Sequence, residues 1–179
     1  MIAPITGHRW LFRLIFVGLC ALILFFQVLP LHTAPPRVPG PDLMLCLAFA
    51  FVQRRPDFVP LFLLTVVFLM ADFVLMRPPG LWTALVLLAS EFLRNRHIGT
   101  GEVPFPAEWL LTAAAISAVY TLYVLVLGLS GAVSPAKGML VMQAVFSILC
   151  YPVVVAIVHL GLKLRRPSPG DTEAVGRLR

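Results

Sequence analysis

The sequence predicts an all-α integral membrane protein with six transmembrane helices, and three observations lead there. Hydrophobic residues make up 60% of the 179 and charged residues 12%, against roughly half and a quarter in soluble domains. A soluble chain of this length has too little interior to hide that much apolar surface. The apolar residues also fall into successive runs punctuated by Pro, Gly and Arg. Finally, the basic residues alternate in density along the chain. Arg9 with Arg13, Arg54 with Arg55, Arg94 with Arg96, Lys163, Arg165, Arg166, Arg177 and Arg179 lie where a six-fold crossing returns to one side. The opposite turns carry Arg37, Arg77 and Lys137. Cytoplasmic loops collect Lys and Arg, so this split of the 14 basic residues puts both termini in the cytoplasm.

The same distribution explains the net charge of +6. The bases sit in pairs at helix ends and form no single patch, so nucleic acid is not the expected partner. Cys20, Cys46 and Cys150 lie inside apolar runs without metal-ligand spacing. They read as small lipid-facing or packing residues, with neither a disulfide framework nor a metal site. The N-terminal basic start and apolar run resemble a signal peptide, but the run is too long and lacks a small-residue cleavage site, so it is expected to stay as the first helix.

Helix 1 is expected at about 10–29, close to the roughly 20 residues that cross the hydrocarbon core, with Trp10 at its edge. The five prolines between Pro30 and Pro41 impose an extended loop. The second segment, 41–53, is short enough to be re-entrant. Charge decides for a crossing, because otherwise Arg37, Arg54 and Arg55 would share the far side. Pro41 suits a first turn and Asp42 an N-cap. Helix 3 (58–76) is stopped by Arg77-Pro78-Pro79-Gly80. The fourth segment (80–94) is short again and ends in a basic stretch to His97, and residues 98–108 read as a mobile cytoplasmic loop. Helices at 109–129 and 139–162 complete a transmembrane domain of residues 1–166, with Pro152 as a kink and 167–179 as a disordered cytoplasmic tail. Short spans thin the bilayer or hide among neighbours, which places segments 2 and 4 in the middle of the bundle.

Asp72 is the sharpest candidate for chemistry. An intramembrane carboxylate faces a partner or a cavity, so it serves either a proton or ligand site or a bond to Arg77 or a neighbouring helix N-terminus. Glu91 has Arg94 three residues on, which is an interfacial ion pair. Gln27, Thr65, Thr112, Ser117 and Thr121 are expected to bond between packed helices. His8, His32, His97 and His159 are scattered, and no metalloprotease, nucleophile-elbow or phosphate-loop signature occurs. With no converging acid, base and nucleophile, no enzyme activity and no cofactor are expected. The small residues Ala113, Ala114, Ser117, Ala118 and Thr121 give the fifth helix a face for a partner helix or for internal packing.

Residues 41–96 resemble the rod shape-determining protein MreD family. Pro41-Asp42 opens an apolar segment that Arg54-Arg55-Pro56 closes. A long apolar helix with Asp72 near its end follows, then the Pro79-Gly80 turn, another apolar run and the basic Arg94 and Arg96. Family members commonly place a small residue, often Gly, a few positions before that Asp; here only Ala71 in Val66-Val67-Phe68-Leu69-Met70-Ala71 is small. The resemblance implies a non-enzymatic inner-membrane component of the bacterial elongation machinery. Its partners would be an MreC-like bitopic protein, the class B penicillin-binding transpeptidase, the RodA-type glycosyltransferase, membrane lipid and, indirectly, the MreB filament. The implied fold is similar to the substrate-binding component of energy-coupling factor transporters. That likeness supplies an alternative, a small-molecule (vitamin) binding component of a transporter.

Overall fold

The computed structural model describes residues 4–29, 39–54, 56–97, 104–131 and 137–162. Arg55, the 167–179 tail and most of the predicted loops lie outside the described residues. Among those described, all regular structure is helical: α1 (Pro4–Val28), α2 (Leu43–Arg54), α3 (Leu61–Val74), α4 (Leu81–His97), α5 (Phe105–Ser130) and α6 (Lys137–Leu162), with a 3₁₀ turn at Pro56–Phe58 between α2 and α3. Three helices are long and apolar enough to cross a membrane, over Arg9–Val28, Phe105–Ser130 and Lys137–Leu160.

The centre of the bundle is α2. Apolar on every side, it has no polar stripe to turn outward, and residues 44–53 are buried without interruption. It packs against α1, α4 and α6, while α3, α4, α5 and α6 follow one another around it. Between helices in lipid, apolar burial alone drives little, because acyl chains solvate Leu as well as protein does. Association rests on close packing and hydrogen bonds, and α2 supplies both: Ala48 and Ala50 admit close neighbours, and Asp42 and Gln53 sit buried at its two ends. The outer helix α1 is held by aromatic contacts, Phe12 stacked on Phe58 at 4.8 Å and Phe16 edge-on to Phe51 at 5.2 Å.

Several boundaries differ from the sequence expectation. The first helix begins at Pro4 instead of 10, and α3 is shorter than 58–76 because the 3₁₀ turn and Pro60 precede it. The fourth helix continues to His97. The largest correction is at α5, which starts at Phe105 behind Pro104 and Pro106, so Glu108 belongs to a first helical turn and not to a loop. Gly131 closes that helix in the left-handed conformation, φ 66°, the usual geometry of a helix C-terminus.

The helices are staggered along the bundle axis. The backbone N–H of Asp42 donates to Ser147 Oγ at 2.8 Å, and Ser147 lies ten residues, about 15 Å, beyond the start of α6. Thus α2 begins well below the rim formed by its neighbours, leaving a recess above its N-terminus.

Candidate functional site

Two buried polar centres hold the bundle, one at each end of α2. At the first, α3 ends in a Schellman arrangement: Leu75 is the C-cap, Arg77 N–H donates to Asp72 O at 3.0 Å, and Met76 takes the left-handed position with φ 52°. That geometry normally selects glycine. It turns Arg77 back over the bundle, where its guanidinium stands 4.8 Å from the Trp82 ring centroid and 3.8 Å from Asp42 Oδ2. Asp42 caps α2 as its sequence position predicts, Oδ1 accepting the Leu45 N–H at 3.0 Å. Fully buried, Asp72 receives three donors on Oδ2: Gly80 N–H at 3.1 Å, Thr83 N–H at 3.2 Å and Thr83 Oγ1–H at 2.8 Å. The two amides are orphans of the start of α4, and a carboxylate there also meets the positive end of the helix dipole. Asp72 therefore ties α3 to α4 through a helix N-terminus, one of the two arrangements its sequence position allows.

The second centre lies at the other end of α2. Gln53 Nε2 donates to Thr112 Oγ1 on α5 and, at 3.3 Å, to the Tyr151 hydroxyl on α6. That hydroxyl donates to Glu108 Oε1 at 3.2 Å, and Arg54 stands 3.8 Å from Glu108 Oε2. Glu108 is only 3% exposed, so its charge requires these partners. Close by, Trp109 Nε1–H donates to Ile148 O at 3.0 Å. One network joins α2, α5 and α6.

The remaining predicted residues separate from these centres. Glu91 pairs with Arg94 at 3.7 Å within α4, and Arg94 also donates to Val59 O at 2.9 Å, fastening the end of α4 to the approach to α3. Of the residues expected to bond between helices, Thr65, Ser117 and Thr121 instead donate to carbonyls four residues back in their own helices, which corrects that expectation. A hydroxyl turned into its own helix satisfies itself without a partner. Thr112 shares in the internal network, and Gln27 is exposed. On α5, Ala114, Ser117, Ala118 and Thr121 are exposed and Ala113 is half-buried.

Beside the first centre, the recess has a volume of about 410 Å³. It is lined by Arg77, by Trp82, Tyr120 and Tyr123, and by Leu140 and Gln143 on α6. The Trp82 ring meets Tyr120 and Tyr123 edge-on, each at 5.1 Å between centroids. Sequence reasoning missed this recess and the Glu108 network. The signal for Glu108 was present: two prolines followed by an acid within the first turn mark a helix start. The recess depends on the axial stagger of α2, which leaves no local trace. Compared with known protein families, with curated proteins and with solved structures, the chain matches none of them.

Proposed function

We propose that this chain is a non-enzymatic inner-membrane subunit of the bacterial cell-elongation complex, similar to the MreD family, which stabilises an MreC-like partner and the peptidoglycan synthases for cell-shape maintenance. The observation that supports this best is the use made of Asp72. The one carboxylate whose position suggested chemistry is spent on fastening α4 to α3, its donors all coming from one helix N-terminus. The second acid centre, Glu108, is likewise engaged in joining helices. Such a molecule presents a rigid body with lipid-facing helices, and the small-residue face of α5 is where a partner's single membrane helix approaches closely.

The proposal includes six crossings with both termini cytoplasmic and a fold like the substrate-binding component of energy-coupling factor transporters. Since α2 covers about 18 Å and the hydrocarbon core about 30 Å, its crossing relies on neighbours that shield its ends. Depletion in the native rod-shaped host tests the reading. Rounded cells are expected, along with an MreC-like protein retained through detergent extraction. Normal rods after depletion overturn it. The aromatic recess favours a second reading, a small-molecule binding component of a transporter. Tight one-to-one retention of a soluble compound, without an MreC-like partner, selects that one.

A further inference from the structure

We propose that the recess and the cleft beside it form a binding site for an anionic membrane lipid, with the phosphate-bearing headgroup at Arg77 and one hydrocarbon chain along the α5–α6 seam. The cleft has a volume of about 530 Å³ and is walled by Ser117, Thr121 and Leu125 on α5 and by Val141, Val145 and Ile148 on α6. Tyr120 and Leu140 line both the recess and the cleft, so the two spaces adjoin across those side chains. Lys137 stands at the cleft's upper end. From Lys137 to Ile148 is eleven residues, about 16 Å along α6. Half of the hydrocarbon core is about 15 Å, so the cleft matches one leaflet's depth of chain.

The head end is chemically suited to an anion. Arg77 is the charged side chain lining the recess. At 3.8 Å its contact with Asp42 is too long for a hydrogen bond, and among the described residues the guanidinium makes none. Asp42 and Asp72, the nearby acids, are already committed to helix N-termini. Lys137, exposed at the start of α6, adds a second positive charge at the cleft's end. A soluble anion would have no use for the cleft, and a neutral lipid none for Arg77 and Lys137; one amphiphile uses both. The proposal is independent of the elongation reading, and its failure would leave that reading as it stands.

The test is native mass spectrometry of the full-length protein in detergent, titrated with phosphatidylglycerol and with phosphatidylethanolamine of the same acyl chains. Phosphatidylglycerol is expected to be retained about tenfold better, the worth of one charge-assisted contact. Arg77→Gln should abolish that preference. Because Arg77 also touches Asp42 and Trp82, Lys137→Gln serves as the second variant, lowering retention about fivefold with no loss of thermal stability. A photo-crosslinking residue in place of Val145 should capture lipid. Equal retention of the two lipids, or Lys137→Gln binding as the native protein does, overturns the proposal. So does a protein adduct at Val145, or a water-soluble compound that displaces the lipid.

Discussion

Asp72 shows how much a single acceptor does when three donors converge on it. In Asp72→Asn a carbonyl oxygen remains to receive Gly80 and Thr83, and the loss is of the negative charge at a helix N-terminus, about 1 kcal/mol. Asp72→Leu leaves the donors bare in a dry interior and should cost on the order of 3 kcal/mol or more. Thermal unfolding in detergent should therefore rank the native protein, Asn and Leu in that order. A proton-coupled role predicts something different, an Asn variant that is fully stable yet inactive in restoring cell shape. Met76 gives a prediction of opposite sign. It is 92% exposed and held at φ 52°, a conformation costing a side chain about 1 kcal/mol. Met76→Gly should raise the unfolding temperature, and a fall would mean that the Met side chain itself matters. Residue-level roles were legible where the signal was local. Asp42 stands directly before an apolar run and caps it. The partners of Glu108 come from 43 and 54 residues away in sequence, and no local pattern points to them.

Among the elements, α2 is the most constrained. Ala48 has no exposed surface, whereas Ala114 on α5 faces outward. Ala48→Leu forces three added carbons into a closed core and should cost about 1–3 kcal/mol. Ala114→Leu should leave stability unchanged while weakening any partner helix that needs close approach there. Unfolding in detergent and partner co-purification measure the two effects separately. The burial of α2 was legible from its brevity together with apolarity on all faces. The same brevity argument put α4 in the middle too, but α4 stands in the ring around α2 with Leu88 and Phe92 exposed. The depth of α2 was not legible, since hydrophobic periodicity reports which side of a helix is covered and says nothing about sliding along the axis. The helix ends moved for a related reason: Pro104 and Pro106 read as loop residues until their place in a first turn is recognised.

At the scale of the whole molecule, the eleven-to-three division of basic residues is the strongest statement about topology, and it concerns segments that mostly connect helices. With Cys20, Cys46 and Cys150 replaced, single cysteines at positions 34 and 132 should react with an impermeant thiol reagent added from outside, and those at 98 and 170 should not. Labelling at 98 would remove the six-crossing arrangement. The all-helical, membrane-like character was legible because composition is a global quantity that survives errors in every boundary. The architecture within that class was not, since α2, α5 and α6 are joined by side chains distant in sequence.

The shortness of α2 also imposes an order on how the protein is made. At about 18 Å, with a buried acid at its start, this helix is a poor candidate for stable residence in lipid by itself. The Ser147 hydroxyl that receives its first amide and the Tyr151 hydroxyl at its far end both lie on α6, which leaves the ribosome after α1 to α5. Until then α2 has α1, through Phe16 against Phe51, α4, and the Thr112 and Glu108 side chains of α5 for company. Biogenesis thus includes a waiting period in which the future centre of the molecule is its least settled part. Whatever shelters α2 during that interval, whether the insertion machinery or a hairpin with α1, acts as a temporary stand-in for α6.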